Sequence, residues 1–375
     1  MLKNVFGLIY TGEENMNLIE LTSRRAIGAL PVGGRYRCID FILSNMVNSG
    51  IRNVGVIAQK NYNSLMDHLG SGKEWDLSRK NDGLFVLPPF DSAYNRGYVR
   101  GVCDAIRNAM PYIRRASQQY CVMSGSYTIF NADFEALVKS HIERNADITM
   151  LYNERMRLMD EEVHFLDTRI FLNENNRVID MEMNSAMPTS SLIGMDTYII
   201  RKDVLEYLIE DATSRNKFDW VQDVLIPNVN RLKIYAVKHE GYVGRMHSVK
   251  AYFNINKDII SPEVRADLFK KDRPIFTKIK DEAPTKFGEN ACVSNSIIAN
   301  GCTIEGTVEN SVLFRNIHVG KGTVIKDSII MQDSQVYNNC MLENVILDKS
   351  VHIRSGNNLV GAQNYPMIIK KGVLI

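Results

Sequence analysis

The chain has 375 residues, and its 45 Lys and Arg side chains nearly balance 43 Asp and Glu, which gives a formal net charge of +2. This balance argues against a nucleic-acid-binding surface, because affinity for a phosphate backbone depends on many uncompensated cations. Hydrophobic residues make up 45% of the chain, which is typical of globular proteins and excludes a disordered chain. The length predicts at least two domains, each with its own core.

No stretch of the sequence approaches the roughly 18 apolar residues that a membrane helix requires. The first residues lead directly into a strand-like segment, without the apolar core of a signal peptide. We therefore expect a cytoplasmic protein with no membrane and no nucleic-acid partner. Six cysteines are scattered without a Cys-x-x-Cys pair, and we interpret them as buried thiols in preference to a disulfide or zinc site: Cys38, Cys103, Cys121, Cys292, Cys302 and Cys340.

The first 250 residues alternate short apolar runs with helical patterns. Five runs are typical of strands: 5–10, 54–58, 120–123, 147–152 and 234–237. Three stretches between them have helical spacing: 44–49, 64–69 and 102–115. This alternation predicts an α/β fold with a Rossmann-like, mostly parallel sheet covered by helices on both faces. Ligands of such a sheet bind beyond the carboxyl ends of its strands.

The last 90 residues carry a repeat. Four similar segments begin at Asn295, Asn310, Asp327 and Asn344, which are 15, 17 and 17 positions apart. Within each repeat, aliphatic residues recur at close to six-residue intervals, with Gly, Asn and small residues between them. This hexapeptide pattern is typical of a parallel β-helix, here with about four coils. An antiparallel β domain would share the aliphatic enrichment but has no reason to repeat every 17 residues.

These patterns predict three parts of the chain. Residues 1–257 form the α/β domain, and residues 289–375 form the β-helix. Residues 258–288 form a connector on the surface, because Pro262, Pro274 and Pro284 interrupt a highly charged stretch.

Particular segments resemble a known family. Residues 22–26 and 31–51 closely resemble the opening of bacterial ADP-glucose pyrophosphorylases, which are glucose-1-phosphate adenylyltransferases. Residues 98–105 are similar to that family's Arg-Gly-Thr-Ala-Asp-Ala segment, and residues 311–314 fall where its β-helix has a similar run. The resemblance covers nearly the whole chain. It implies a nucleotidyltransferase domain followed by a left-handed parallel β-helix, and a reaction of ATP with glucose 1-phosphate that uses Mg²⁺ and yields ADP-glucose and pyrophosphate for glycogen synthesis.

The resemblance breaks at the nucleotide loop. The family's Gly-Gly-x-Gly-x-Arg-Leu corresponds to residues 12–18, where Gly12 remains, Glu13 and Glu14 add negative charge, and Asn17 replaces the arginine. Such a loop needs bare backbone amides to close on a triphosphate and an arginine to neutralise pyrophosphate. Each carboxylate beside a phosphate costs about 1 kcal/mol in Coulomb repulsion. We expect that this loop does not bind ATP productively.

The metal and sugar-phosphate positions also differ from the family. The resemblance puts Ser126 in place of one metal-binding Asp and Arg245 at or beside the other, although Mg²⁺ requires carboxylate oxygens. Asn184 replaces a sugar-phosphate lysine, and Ile27 replaces a second lysine. We therefore expect no catalytic residues, no metal and no cofactor in this chain, with Mg²⁺ bound by a catalytic partner.

Alternative placements remain open. If the loops are misaligned, Asp40, Asp104 or Asp223 could supply the missing carboxylates, although each belongs to a motif that matches the family elsewhere. The resemblance also implies a vestigial nucleotide-sugar groove that contains Gly12, Gln59, Arg100, Gly101, Asp104 and Gly125.

With these altered positions, the chain resembles the D-type, non-catalytic subunit that partners a catalytic ADP-glucose pyrophosphorylase subunit in a heterotetramer. A regulatory, catalytically impaired subunit is the favoured function. The alternative is an active but partner-dependent nucleotidyltransferase with a rearranged metal site. We expect the coils and exposed ends of the β-helix to be assembly surfaces, and the chain to be capable of forming a homo-oligomer alone.

A basic cluster is a candidate site for a small phosphorylated effector, because arginines bind such anions through paired hydrogen bonds. It consists of Arg24, Arg25, Arg35 and Arg37. Alternatively, these arginines pair with carboxylates at a subunit interface.

Overall fold

A computed structural model describes residues 2–11, 16–89, 91–92, 95–96, 99–154, 167–183, 185, 189–362 and 365–375. Among these residues, nine strands form the main sheet of the first domain: Val5–Tyr10, Asn53–Ile57, Gly83–Leu87, Tyr120–Gly125, Ile148–Asn153, Thr168–Leu172, Val178–Met183, Ile193–Arg201 and Ile234–Lys238. The α-helices of the described residues are Ile19–Thr22, Cys38–Asn48, Asn63–Leu69, Val102–Asn108, Met110–Arg115, Phe134–Glu143, Lys202–Ser214, Ile226–Asn228, Val249–Asp258 and Pro262–Leu268.

The centre of the sheet is parallel, as predicted. Val5–Tyr10 lies between Asn53–Ile57 and Tyr120–Gly125, and Gly83–Leu87 extends the parallel part at one edge. On the other side, Ile193–Arg201 pairs antiparallel with Tyr120–Gly125 and so begins a mixed region of the sheet. The parallel strands therefore end at one common edge.

Helices cover both faces of the sheet, also as predicted. Along the first strand, Phe6 and Leu8 enter one buried cluster, whereas Val5 and Ile9 enter another. Because successive side chains of a strand point to opposite faces, these two clusters are the two helix-packed layers. The apolar run of this strand is explained by its burial on both faces.

The predicted helix 102–115 is interrupted. The structure has two helices, Val102–Asn108 and Met110–Arg115, with Ala109 between them. Pro111 has no backbone N–H to donate, and its ring would clash with the carbonyl of residue 107 in a continuous helix. Because apolar residues keep helical spacing on both sides of Ala109, the sequence pattern gives no sign of the break.

The second domain is a parallel β-helix, which is consistent with the expected left-handed form. Each coil contributes one strand to each of three parallel sheets. The first sheet contains Lys286–Phe287, Thr303–Ile304, His318–Val319, Gln335–Val336 and His352–Ile353. The second contains Cys292–Ser294, Thr307–Glu309, Val324–Lys326, Met341–Glu343 and Asn358–Val360. The third contains Ile297–Ile298, Val312–Leu313, Ile329–Ile330, Val345–Leu347 and Met367–Ile369.

The predicted repeat is the register of the third sheet. Ile297 pairs with Val312, Val312 with Ile329, and Ile329 with Ile346, which confirms the alignment of the four segments. The estimate of four coils was too low, because each sheet has five strands among the described residues. The last coil was missed because Ile346 pairs with Ile368, a longer separation than in the other repeats.

The polar residues that begin the repeats form the corners of the coils. Asn295, Asn310, Asp327 and Asn344 have φ values of 41°, 51°, 47° and 53°. Asn and Asp tolerate this left-handed region better than other residues with a side chain. A hydrogen bond also joins the first two corners: the Asn295 Nδ2 group donates to Asn310 Oδ1 at 3.0 Å.

The third β-helix sheet packs against the first domain. Val312, Ile329 and Ile346 belong to the same buried cluster as Phe6 and Leu8 of the α/β domain. The backbone at Gly34 has φ +81° and approaches this sheet so closely that a Cβ atom would lie 3.2 Å from Ile297. The connector therefore joins two domains that share a core, and the first β-helix strand begins at Lys286, just before position 289.

A buried ion pair crosses this domain interface. The Arg25 Nη2 atom lies 2.6 and 2.7 Å from the two carboxylate oxygens of Asp348, and the residues are 3% and 4% exposed. A second pair joins Lys257 to Asp327. The Arg25 pair is the more consequential because neither charge can be compensated by water.

Six cysteines are free thiols, and five are buried as predicted. Cys292 is the exception and is exposed, because it lies on the outer side of the first β-helix strand of the second sheet. Among the described residues, no helix combines the length and apolar character needed to cross a membrane.

We predict that Arg25→Met lowers the free energy of unfolding by about 3–5 kcal/mol, because it leaves the Asp348 carboxylate buried without a counter-ion. The double variant Arg25→Met/Asp348→Asn removes both charges and keeps an acceptor for the Lys349 N–H, which bonds Asp348 Oδ1 at 2.7 Å. It should recover at least half of the loss. Urea unfolding measures all three proteins, and equal stability of wild type and Arg25→Met would contradict the assignment.

Candidate functional site

The candidate site lies at the carboxyl edge of the parallel strands. Tyr10 is aligned with both Ile57 and Gly125, so three strands end at the same level. The Thr11 hydroxyl donates to the Ile57 carbonyl at 2.9 Å, and the Ser126 N–H donates to the Tyr10 carbonyl at 3.1 Å. These bonds fix the first residues beyond the strands, where an open α/β sheet binds its ligands.

The structure brings Ser126 and Arg245 together. A short strand, Gly244–Arg245, pairs antiparallel with Thr128–Ile129 and places Arg245 opposite Thr128. Ser126 is fully buried, and its hydroxyl has no hydrogen-bond partner among the described residues. The two positions that the resemblance assigned to metal ligands therefore lie on adjacent segments, with Arg245 opposite a residue two positions after Ser126, although they are 119 positions apart in sequence.

The guanidinium of Arg245 is buried in a network of ionic and hydrogen bonds. Its Nη1 atom lies 3.3 Å from Asp167 Oδ1, and its Nη2 atom donates to the Tyr127 hydroxyl at 3.3 Å. Arg245 is only 7% exposed, and its guanidinium carbon lies 5.2 Å from the centre of the Tyr127 ring. A permanent positive charge is thus held against Tyr127, the residue that follows Ser126.

A second carboxylate extends this network. The Tyr127 hydroxyl donates to Asp196, and the Tyr198 hydroxyl donates to Asp196 Oδ1 at 3.2 Å. Burial, followed by the charge of Asp196, raises the pKa of Tyr198 well above its ordinary value, so this phenol remains a donor. Asp196 itself has φ +56°, a conformation that Asp tolerates better than most residues. Two carboxylates and two phenols therefore surround the Arg245 charge.

No His, Cys, Asp or Glu cluster large enough to hold a metal ion occurs in the described part of the chain. Asp167 accepts from the Arg245 guanidinium, and Asp196 is linked to the guanidinium through the Tyr127 hydroxyl. These residues fit an internal ion pair better than a Mg²⁺ site.

The predicted groove residues are distributed along the same edge and a neighbouring helix. A Cβ atom on Gly125 would lie 2.7 Å from the Tyr127 ring and 2.8 Å from Asp196 Oδ2, so the network requires glycine there. Gln59 is partly buried just beyond the strand Asn53–Ile57. Asn17 is exposed in the short helical turn Met16–Leu18. Gly12 and Asn184 lie outside the described residues.

Arg100, Gly101 and Asp104 have packing contacts. The Arg100 guanidinium lies 3.6 Å from the centre of the Phe218 ring, and its Nε atom donates to Asp104 Oδ2 at 2.8 Å. A Cβ atom on Gly101 would lie 2.5 Å from the Phe218 carbonyl oxygen. This segment therefore holds the start of the helix Val102–Asn108 against Phe218.

The alternative carboxylates are engaged in local structure. Asp40 accepts the Arg37 N–H at 2.9 Å and contacts His68 Nε2 at 2.6 Å, where it caps the helix Cys38–Asn48. Asp223 accepts the backbone N–H groups of Phe218 and Asp219 at 2.9 and 3.0 Å. Together with the Asp104 ion pair, these bonds use the carboxylates at sites other than the Ser126–Arg245 pair.

The four candidate arginines separate into different environments. Arg25 pairs with Asp348 of the same chain, so its carboxylate partner belongs to the β-helix and not to another subunit. Arg24 is exposed. Arg35 and Arg37 line a small recess between the two domains.

This interdomain recess is strongly basic. Among the described residues, its lining includes five cationic side chains, Arg35, Arg37, Lys278, Lys280 and Arg315, but one carboxylate, that of Asp67. Burial and the nearby Arg35 lower the pKa of Arg315. Close by, burial followed by Arg37 and Arg25 lowers the pKa of Lys349 to about 7. The positive charge at the recess is therefore incompletely compensated within the chain.

Sequence reasoning missed three of these cations. Lys278 and Lys280 come from the connector, and Arg315 comes from a β-helix turn, so neither spacing nor composition associates them with Arg35. The only available signal was the charged character of the connector.

Comparison with known proteins gives two family matches. The nucleotidyl transferase family matches residues 7–260, and a GlmU-like C-terminal hexapeptide family matches residues 282–365. The chain is 35% identical over 370 residues to the glycogen biosynthesis protein GlgD of Bacillus subtilis, covering 99% of this chain and 96% of that protein. The chain belongs to the ADP-glucose pyrophosphorylase family.

Further relatives in this family have two kinds of name. The chain is 38% identical over 305 residues to the glycogen biosynthesis protein GlgD of Geobacillus stearothermophilus, covering 81% of this chain and 78% of that protein. It is 31% identical over 368 residues to the glucose-1-phosphate adenylyltransferase of Bacillus mycoides, covering 97% and 96%. These matches confirm the predicted resemblance to the family, and they are consistent with its D-type group.

Proposed function

We propose that this chain is a regulatory, catalytically impaired subunit of glucose-1-phosphate adenylyltransferase in glycogen biosynthesis. The names of its relatives support the role in glycogen synthesis. The observation that carries the impairment is the Arg245 guanidinium, which Asp167 and Tyr127 hold at one of the two positions where the resemblance puts a metal ligand.

The charge of Arg245 opposes metal binding at this edge. A guanidinium remains protonated at every physiological pH. A divalent cation about 5 Å from it would experience a repulsion of about 7 kcal/mol at an effective dielectric constant of 20. Asp167 already compensates the arginine, and Ser126 offers a neutral hydroxyl in place of a carboxylate. The site therefore lacks the two carboxylates that would hold Mg²⁺, and without Mg²⁺ it lacks the cation that would hold the ATP phosphates.

The nucleotide loop supports the same proposal. It follows Thr11 at the end of the first strand and carries Glu13 and Glu14 in its sequence. Negative side chains at this point repel phosphate, and Asn17 supplies no charge to offset them. Loop and metal positions thus disfavour the same substrate through independent groups.

Regulation requires a partner whose active and inactive states bind this chain differently. The proposed partner is a catalytic ADP-glucose pyrophosphorylase subunit that supplies Mg²⁺ and the reaction, in a heterotetramer with this chain. A subunit that bound both states equally would not change the turnover.

The decisive assay measures pyrophosphate release from ATP and glucose 1-phosphate with Mg²⁺. The chain alone should give no release above background. A catalytic homologue mixed with it should change kcat or KM at least twofold, whereas an equal mass of heat-unfolded chain should leave both unchanged. Robust turnover by the chain alone that is lost when Asp40 or Asp104 is replaced would support a rearranged active site and contradict the proposal.

The interdomain recess favours an additional role in binding a small phosphorylated effector. Its five cations converge from the first domain, the connector and the β-helix, so an anion bound there would contact both domains. Such a contact is the kind of differential interaction through which a ligand shifts a domain arrangement.

We expect a small phosphorylated anion, probed with inorganic phosphate, to bind this recess, and Lys278→Met/Lys280→Met to weaken binding by about 10- to 30-fold, the loss of one or two charge-assisted hydrogen bonds. Isothermal titration calorimetry at fixed ionic strength measures both proteins. The matched control Lys139→Met removes an exposed lysine of the first domain, whose side chain is 77% exposed, and should leave the affinity unchanged. Equal weakening by the control and the recess variant would contradict a specific site.

A further inference from the structure

A second cleft lies at the opposite edge of the main sheet from the candidate site. The strand Tyr120–Gly125 begins there, and the strand Ile193–Arg201 ends beside it, with Arg201 paired to Tyr120. The strand Tyr120–Gly125 spans about 16 Å, so a ligand held in this cleft is remote from Ser126. We call it the amino-edge cleft, and its lining residues are Ser117, Gln118, Gln119, Tyr120, Arg201, Lys202, Asp203 and Glu206.

Both walls of the amino-edge cleft are fixed by hydrogen bonds. One wall is the segment 117–119, which leads into the strand, and the other is the start of the helix Lys202–Ser214. The Lys202 N–H donates to the Gln119 carbonyl at 2.8 Å, and the Lys202 ammonium group donates to the Ala116 carbonyl at 2.6 Å. The cleft is therefore preformed, so a ligand would not have to order these segments.

The charges of the amino-edge cleft compensate one another. The Arg201 Nε atom donates to Asp203 Oδ1 at 3.1 Å, and the hydrogen bonding of Arg201 lowers the pKa of Asp203, so both groups remain ionised. Glu206 Oε1 lies 3.9 Å from the Lys202 ammonium group, which makes a second pair. Two cations and two carboxylates therefore line the cleft among the described residues, in contrast to the five cations of the interdomain recess. Neither an anion nor a cation would gain a net Coulomb attraction here.

Several polar groups of the cleft have no hydrogen-bond partner within the described part of the chain. They include the hydroxyl groups of Ser117 and Tyr120. The Gln119 Oε1 atom accepts from Asn4 Nδ2 at 3.0 Å, which fixes the amide and leaves its Nε2 group as a donor. On the other wall, the Glu206 carboxylate accepts no hydrogen bond from these residues and can accept one from a ligand.

The Tyr120 ring supplies an apolar surface beside these polar groups. It is partly buried, and the ring of His141 packs perpendicular to it at a centroid distance of 5.6 Å. Burial lowers the pKa of His141 to about 4, so this histidine is a neutral packing partner. The phenol is thus held in place while part of it remains exposed to the cleft.

We propose that the amino-edge cleft binds a neutral sugar, a glucose unit of a glucan chain. Sugar hydroxyls both donate and accept, which matches a cleft with hydroxyl and amide donors on one wall and the Glu206 carboxylate on the other. The apolar C–H face of the sugar ring packs against Tyr120, because an aromatic ring with a polar end suits a ligand that has both characters. The choice of glucose rests on the proposed role in glycogen synthesis, whereas the preference for an uncharged ligand rests on the cleft alone.

This binding would hold the subunit near the polymer for which ADP-glucose is made. The cleft shares no lining residue with the interdomain recess among the described residues, so the two ligands would bind independently. Each hydrogen bond to the sugar replaces one to water, so the affinity for a short oligosaccharide should be weak, with a Kd on the order of 1 mM.

Saturation-transfer difference NMR with maltotriose, a trimer of glucose, tests the proposal. Gln119→Ala/Tyr120→Leu removes an amide and the phenol but keeps an apolar side chain in the strand, and should weaken binding by about 5- to 30-fold, the loss of one or two hydrogen bonds. Ser117→Trp fills the cleft from an exposed position and should cause a similar loss. The matched control Gln222→Ala/Tyr207→Leu makes the same changes at exposed residues outside the cleft and should bind as wild type does.

Salt and phosphate distinguish this cleft from the interdomain recess. Because the cleft charges compensate one another, the maltotriose affinity should change by less than about twofold between about 0.05 and 0.5 M NaCl. Excess inorganic phosphate, the probe of the recess, should not displace maltotriose. Thermal unfolding followed by circular dichroism shows which variants are folded, and Ser117→Trp decides the outcome if Gln119→Ala/Tyr120→Leu is not.

Any of four results would overturn the proposal: no saturation transfer from wild type to excess maltotriose, an unchanged affinity of the folded cleft variants, an equal loss in the control variant, or displacement of maltotriose by phosphate. The titration uses this chain without a catalytic homologue. Failure here would leave the pyrophosphate-release test of catalytic impairment unaffected, so the two proposals fail separately.

Discussion

A buried guanidinium at the carboxyl edge of the sheet constrains the architecture around it. Arg245 is 7% exposed and cannot lose its proton, so the fold must supply negative or dipolar partners at that point. Asp167 supplies the charge, and Tyr127 supplies a hydroxyl that is itself bonded to Asp196. Gly125 lacks a side chain because this network occupies the adjoining space. The site is thus an internally compensated structure and not an open groove awaiting a cation.

Between the two domains, the charges are balanced only in part. Arg25 and Asp348 satisfy each other there, whereas the interdomain recess gathers five cations around a single carboxylate. One site has been neutralised from within, and the other retains an excess of positive charge that suits a small anion. A subunit that has lost chemistry but keeps a responsive domain interface would have this distribution of charge.

The sequence predicted the periodic features of the fold well. The sequence locates the strand 5–10 because burial on both faces gives a continuous apolar run. It locates the repeats at Asn295, Asn310, Asp327 and Asn344 because stacking of the coils imposes a period of about 17 residues. The sequence does not predict the break at Pro111, because the apolar spacing of a helix continues across it. It does not predict the fifth coil, because the last repeat is longer than the others.

The contacts of the site were less predictable. Family resemblance pointed to Ser126 and Arg245, but nothing in the local sequence identifies Asp167, Tyr127 and Asp196 as the partners that stabilise the arginine. The sequence leaves Arg25 either as an effector ligand or as the partner of a carboxylate. It does not identify that carboxylate, because Asp348 is 323 positions away and only the folded chain brings the two residues together. Long-range pairs of single residues have no period, so composition and spacing give no sign of them.

The central claim is that the Arg245 charge and the Ser126 hydroxyl leave the groove without a divalent-metal site. Electron paramagnetic resonance titration with Mn²⁺, a paramagnetic substitute for Mg²⁺, tests it directly. Wild type and the charge-removal control Arg245→Met should show no stoichiometric site, whereas Ser126→Asp/Arg245→Asp, which adds two carboxylates near Asp196, should gain one. Stoichiometric Mn²⁺ binding by wild type that Ser126→Ala abolishes would contradict the account.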